Sequence, residues 1–314
     1  MFETELRAVA VAAIVGAIAT LISPTGVAAD ELTVSNPRVV AHFDLSAGQT
    51  PEDIAVEPDG SADISFSEAA EVARVGLDGH VQVVGQLPRT GSCSPSPTPL
   101  SLGLVRLQDG TLFVVDCTND ANTGVWRISP GQAPVQIASL PANGFPNDMA
   151  LDPSQGQLYI ADSLLATVWR VPVQGGVPVA WATGPALARI SFLGANGIAV
   201  HRDAVWVSNT DQGTIVRIPV LPDGSAGPIQ TVGSGLGEID NFVFVAGTQE
   251  IVAALPAANQ VVLVDNGQTR VLLTGADGLS SPTSVAIRDN MLYVGSGAVV
   301  THSNPNLLVA QIDS

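Results

Sequence analysis

The sequence predicts an all-β fold: a six-bladed β-propeller with four antiparallel strands per blade and a ring closed by an N-terminal strand. Three observations predict it. Strand-like apolar runs recur about every 43 to 50 residues, a spacing typical of propeller blades. Further short apolar runs follow within each period, separated by turn residues, and the 314-residue chain holds 31 glycines and 22 prolines to build those turns. Finally, the last period lacks a fourth strand, and a segment near the N-terminus can supply it.

The elements follow in order. The innermost strands are expected to begin near Ile54, Leu104, Met149, Ile198, Phe242 and Val285. Second runs include Leu112 to Val115, Leu158 to Ala161, Val205 to Ser208 and Met291 to Val294. Third runs share a pattern, as in Val72-Ala73-Arg74-Val75, Val125-Trp126-Arg127-Ile128, Val168-Trp169-Arg170-Val171 and Ile215-Val216-Arg217-Ile218. Turns such as Leu77-Asp78-Gly79 and Pro222-Asp223-Gly224 lead to fourth strands such as Val81 to Val84 and Arg270 to Leu273. The sixth period ends with the run Leu307 to Ile312. Arg38 to Leu45 would complete it and remove the open edge that invites pairing with another chain.

Composition narrows the chemistry. The repeat runs through residues 30–314 without a linker break, which indicates a single domain. All twelve basic residues are arginine, so lysine Schiff-base chemistry and lysine-dependent phosphate loops are excluded. A formal charge of −17 disfavours nucleic acid and anionic membranes as partners. Residues 1–29 read as a secretory signal peptide: apolar Ala8 to Ile22, then Val27-Ala28-Ala29 before a mature start at Asp30. Cleavage would leave a secreted protein, expected to be a monomer with no stable membrane association. In an oxidising compartment Cys93 and Cys117 are expected to form a disulfide. It would close a loop of about 25 residues, worth on the order of 3 kcal/mol by chain entropy.

The candidate site lies at the starts of four inner strands: Glu52 in Pro51-Glu52-Asp53-Ile54, Asn147 in Pro146-Asn147-Asp148-Met149, Asn196 in Ala195-Asn196-Gly197-Ile198, and Asp240 in Ile239-Asp240-Asn241-Phe242. Each residue sits two positions before the first large apolar residue of its strand. Any one of these dipeptides alone is an ordinary turn. Around a propeller axis, equivalent positions converge, and two carboxylates would repel each other there without a cation. Two carboxylates and two amide oxygens suit Ca²⁺ better than other divalent cations, because zinc prefers histidine and cysteine and magnesium demands a tighter octahedron. Asp148 reads either as a support behind these ligands or as a turn residue.

These motifs resemble the metal ligands of the senescence-marker-protein, gluconolactonase and luciferin-regenerating-enzyme family, and of the related calcium propellers of the diisopropylfluorophosphatase kind. The resemblance covers about residues 38–313. Asn147-Asp148-Met149, Ile160 to Leu165 and Val168-Trp169-Arg170 are similar to a secreted branch that includes hetero-Diels-Alderases, so the resemblance does not fix the reaction. It implies a small-molecule substrate and a metal at the axis. Departures matter as well. Leu102 stands where sugar lactonases place polar residues, and Thr283-Ser284 replaces the histidine-bearing segment of the phosphotriesterase-like relatives.

The leading reading is a calcium-dependent hydrolase of a lactone or ester, with Asp240 or a metal-held water as base or nucleophile. A non-hydrolytic enzyme of the cycloaddition type and a binding propeller with structural calcium remain as alternatives. The other candidates have plainer readings. Trp126 and Trp169 repeat at one third-strand position and belong to blade packing. His201 is expected at the surface on the far side, His42 in the closing strand and His80 in a turn. His302 and Arg189 lie in irregular segments that could overhang the pocket.

Overall fold

Six four-stranded antiparallel sheets make up the described part of the protein, residues 31–313 of this computed structural model. Blade one is β2 (Pro51–Val56), β3 (Ala62–Phe66), β4 (Glu71–Val75) and β5 (Val81–Gln86). Blade two is β6 (Leu100–Arg106), β7 (Leu112–Cys117), β8 (Gly124–Ile128) and β9 (Val135–Ser139). Blade three is β10 (Pro146–Asp152), β11 (Gln157–Asp162), β12 (Thr167–Pro172) and β13 (Val179–Thr183). Blade four is β14 (Ala195–His201), β15 (Ala204–Asn209), β16 (Thr214–Pro219) and β17 (Gln230–Gly233). Blade five is β18 (Phe242–Phe244), β19 (Ile251–Leu255), β20 (Gln260–Asp265) and β21 (Gln268–Thr274). Blade six joins β22 (Pro282–Arg288), β23 (Met291–Ser296) and β24 (Asn306–Asp313) to the first strand of the fold, β1 (Thr33–His42).

That closing strand differs in extent from the expected Arg38 to Leu45. Its ladder with β24 runs from Thr33 opposite Asp313 to His42 opposite Asn306. Leu45–Ala47 instead turn into a short 3-10 helix, because the Asp44 carboxylate accepts the backbone N–H groups of Ser46 and Ala47. The expected signal peptide, residues 1–29, and the mature start at Asp30 lie outside the described residues. Leu32–Asp313 pack as one unit.

The core lies between blades. Strands covered on both faces can read as continuous apolar runs rather than alternating ones, and β19, all apolar from Ile251 to Leu255, is buried at every position. Val72 of blade one packs in one cluster with Val114 and Trp126 of blade two. Tyr159 and Val168 of blade three do the same with Val205 and Val216 of blade four. Across the closure, Ile64 and Phe66 meet Tyr293, Leu307 and Val309. A smaller cluster stands apart from these layers: Cys93, Leu102, Cys117 and Phe145, with the cysteines joined as the expected disulfide.

Candidate metal centre and axial pocket

Every innermost strand except β18 leaves ladder register near its start. Pairing skips between Pro51 and Asp53, Ser101 and Leu104, Pro146 and Met149, Ala195 and Ile198, and Pro282 and Ser284. A bulge breaks the alternation of side chains and lets two successive residues face the same way. Glu52 with Asp53, Asn147 with Asp148, and Asn196 accordingly line one small axial cavity with Gly103; Asp240 and Asn241, just before β18, join them, held by backbone hydrogen bonds with Ala254. The sequence-predicted set of Glu52, Asn147, Asn196 and Asp240 is therefore brought together.

The amides are oriented by their neighbours. Ser163 Oγ donates to the Ala195 carbonyl at 2.6 Å, so its lone pairs are left to accept Asn147 Nδ2 at 3.1 Å. Thr210 Oγ1 likewise donates to the Ile239 carbonyl at 2.9 Å and accepts Asn196 Nδ2 at 2.9 Å. Each hydroxyl spends its only proton on the next blade. The nitrogen of each amide must then face the hydroxyl, and the oxygen must face the cavity. Asn147 and Asn196 are 3% and 4% exposed, and among the described residues no donor reaches either amide oxygen.

Glu52 and Asp240 complete the ring. Burial pushes the Glu52 carboxyl well above its usual range, and the nearby charges of Asp240 and Asp53 push it further. Burial raises Asp240 to about 7, opposed by the Asn196 amide and reinforced by Asp53. The donor set is thus four oxygens, two of them on carboxyls held in a state that a cation would relieve. This suits a hard ion. Among the described residues no group of three or more His, Cys, Asp or Glu is placed for a metal, so any cation here would depend on the amide oxygens as well.

One residue further along each strand, a second ring closes the axis, and it is satisfied within itself. Asp53 Oδ1 accepts Ile54 N–H and Ser284 Oγ, both at 2.8 Å, and Asn241 Nδ2 at 3.3 Å; Asp53 Oδ2 accepts Leu104 N–H at 2.7 Å. Asp148 Oδ1 accepts Met149 N–H at 2.6 Å, while its Oδ2 accepts Ile198 N–H at 2.9 Å and Asn241 Nδ2 at 3.1 Å. Asp148 is therefore a strand-linking carboxylate, tying blade three to blade four. Burial raises Asp53 to about 6 despite these donors, and burial together with the charge of Asp53 holds Asp148 well above the carboxylate range. Blades two and four contribute glycine here for want of room. A Cβ on Gly103 would lie 2.6 Å from Asp148 Cα, and one on Gly197 would lie 2.6 Å from the Asp240 carbonyl oxygen.

The two rings separate two cavities. Beyond the second ring lies one of about 370 Å³ bounded by later residues of the innermost strands. Above the first ring is a pocket of about 310 Å³, walled by Leu100, Leu102, Phe145, Phe192, Leu193 and Val300. Leu102 lies in this apolar wall. The disulfide packs with Leu102 and Phe145 and so braces this wall.

The remaining expectations divide. Trp126 Nε1 donates to the Asn122 carbonyl at 3.0 Å and Trp169 Nε1 to Asp162 Oδ2 at 3.1 Å, as blade packing requires. His201 ends β14 and stacks on Phe244 at 3.9 Å, away from the pocket. His302 and Arg189 do not line the pocket; their neighbours Val299, Val300, Phe192 and Leu193 do. Sequence reasoning missed Asn241, the linking role of Asp53, and Glu68 and Glu238 at the pocket wall. For the first two the signal was present, in the residue following each ligand position.

No family model matches the chain, and no curated protein matches it. Solved structures do. A gluconolactonase from Xanthomonas campestris superposes with a TM-score of 0.64 at 17% identity, over 91% of this chain and 98% of its own. The PQQ-bound aldose sugar dehydrogenase of Streptomyces coelicolor gives 0.65 at 14% identity, over 90% and 99%. Virginiamycin B lyase from Staphylococcus aureus gives 0.58 at 14%, over 90% and 99%. At such identities the likeness shows the fold, and the gluconolactonase-like six-bladed propeller expected from the sequence fits it.

Proposed function

We propose that this protein is a secreted calcium-dependent hydrolase of a lactone or ester with an apolar body. One observation carries the reading: two buried amide oxygens, turned by Ser163 and Thr210 so that no donor among the described residues reaches them, stand beside two carboxyls at the floor of an apolar pocket. Glu52, Asn147, Asn196 and Asp240 would hold the ion. When bound, calcium supplies Lewis-acid polarisation of a carbonyl oxygen. The chain supplies the rest. The apolar walls hold the body of the substrate and exclude bulk water. A carboxylate oxygen of Asp240 takes a proton from the attacking water and returns it to the leaving oxygen as the acyl C–O bond breaks, leaving an acid and an alcohol.

The test is a panel of aliphatic and aromatic lactones and esters with the purified mature protein. Turnover is expected to vanish with chelator, return with calcium, and fall by about 10² to 10⁴ in Asp240→Asn, the loss typical of a deleted general base. Asn196→Ala is expected to lose activity through the metal. Sugar lactones are expected to be poor substrates, given Leu102. Turnover that survives both chelation and Asp240→Asn would refute the reading.

The apolar wall also favours a second reading, in which the same pocket shapes a natural-product intermediate for a non-hydrolytic step. That reading gains if calcium raises the melting temperature while the whole panel stays unhydrolysed.

A further inference from the structure

The segment that leads into blade four is irregular yet firmly held. Between β13 and β14, residues 185–194 form no sheet ladder and lean instead on one turn, Asn209 to Gln212, at the end of β15. Asn209 Nδ2 donates to the Ala186 and Ala188 carbonyls at 3.1 and 3.0 Å, and Gln212 Nε2 to the Pro185 and Ala188 carbonyls at 2.9 and 2.8 Å. Asp211 Oδ2 accepts three successive backbone N–H groups, those of Ile190, Ser191 and Phe192, at 2.8, 2.6 and 2.7 Å. Its own N–H donates to the Leu193 carbonyl at 3.0 Å, and that of Thr210 to the Gly194 carbonyl at 3.1 Å. Thr210 is also the residue that orients Asn196. One turn therefore sets both a ligand amide and the pocket wall beside it.

What this backbone carries is apolar and uncovered. Phe192 lines the pocket whose floor holds Glu52, Asn147, Asn196 and Asp240, and at 55% exposure it stands at the mouth. From this arrangement we infer that Asp211 is a positioning residue for substrate. It fixes Phe192 at the mouth, so that the pocket selects neutral apolar bodies long enough to reach from the floor to Phe192. A short body leaves the Phe192 ring in water, whereas a long one removes it. The charge-assisted bonds to Asp211 order the segment before any substrate arrives, so binding does not bear that cost. The inference rests on the hydrolase reading for the chemistry at the floor, but length selection belongs to binding alone.

Binding therefore tests it without turnover. The probes are N-phenyl-1-naphthylamine, a neutral dye that brightens in apolar surroundings, and the shorter N-methyl-1-naphthylamine, measured by displacing the dye from the purified mature protein. The unaltered protein is expected to hold the phenyl compound about tenfold more tightly. In Phe192→Ala and in Asp211→Ala that preference should fall to about threefold or less, and the double variant should lose no more than Phe192→Ala alone. Asp211→Asn, which keeps an oxygen for the N–H groups without the charge, should lie between, and it carries the test if Asp211→Ala does not fold. Calcium affinity is the readout that a loosened blade would move, and it should hold in Asp211→Ala, where Thr210 keeps its bonds to Ile239 and Asn196. An unaltered protein without the length preference overturns the inference. So does a preference that survives Phe192→Ala or both Asp211 variants, or losses that multiply in the double variant. A preference that depends on Phe192 and Asp211 in a protein that hydrolyses no ester would support the inference while removing the hydrolase reading.

Discussion

The two axial rings differ by one position along each strand and by their hydrogen bonding. In the first, Asn147 and Asn196 present amide oxygens that no donor among the described residues reaches, and Glu52 and Asp240 stand beside them. In the second, Asp53 and Asp148 accept four and three hydrogen bonds, from backbone N–H groups, Ser284 and Asn241. Both rings are buried and carboxylate-rich, so burial and charge do not distinguish them. Satisfaction does. A carboxylate surrounded by donors holds blades together, whereas an acceptor left free at a cavity is available to something from outside.

The largest expected effect comes from breaking the second ring. Asp148→Ala strips acceptors from Met149 N–H, Ile198 N–H and the Asn241 amide. It should cost about 3 to 5 kcal/mol in denaturant unfolding with chelator present. Asp240→Asn under the same conditions should leave stability within about 1 kcal/mol, since it removes a buried like charge and keeps the shape. Comparable losses in the two variants would erase the distinction between the rings.

Gly103→Ala probes the same ring without touching charge. Its new Cβ would press on the backbone of Asp148 and Met149 at 2.6 Å. An overpacking loss of about 1 to 3 kcal/mol is expected by thermal or denaturant unfolding. An unchanged melting temperature would mean that the ring relaxes freely, and that glycine is not required there.

Thr210→Val sharpens the account of the first ring. It keeps the volume of the side chain but removes the acceptor that orients Asn196. Calcium affinity should fall by about 10 to 100-fold, as for other changes behind metal ligands. A conserved affinity would show that the amide finds its orientation without the hydroxyl.

How much of this was legible in the sequence follows from the same contrast. Glu52, Asn147, Asn196 and Asp240 could be read because a period of strand starts carries oxygen-bearing residues in one register. The second ring was only half legible: Asp148 could be read as a support behind the ligands or as a turn residue, and Asp53 looks like an ordinary turn carboxylate. Their acceptor role depends on the N–H groups of Leu104 and Ile198, one blade further on and about 50 residues away in sequence. Glu68 and Glu238 were unreadable for another reason. They lie in connecting segments whose side-chain direction is set by packing, and no periodicity constrains it. The closing strand was found but misplaced, since the capping by Asp44 that ends it is a local competition a strand pattern does not report.

Asp116 offers the smallest test, a carboxylate between the two types. It is fully buried, accepts only Ser101 Oγ at 2.9 Å, and leaves Oδ2 without a partner. Burial raises its carboxyl to about 7. The folded state therefore keeps a proton that the unfolded chain has already released. Its stabilising effect is whole below the unfolded value of about 4 and is lost as pH rises to about 7. Unfolding measured between pH 5 and pH 8 in chelator should show this decline, and Asp116→Asn should flatten it by about 1 kcal/mol per pH unit below pH 7. An identical slope in the variant would assign the decline to Asp53, Glu52 and the other raised carboxyls.

Calcium titration of chelator-treated protein, followed by calorimetry, tests the central claim most directly. The account predicts that a single ion binds the unaltered chain and raises its melting temperature. Affinity should drop sharply in Asp240→Asn, while the metal-free stability of that variant is kept. A metal-free protein that binds no divalent ion, or one whose affinity is the same in Asp240→Asn, would contradict it.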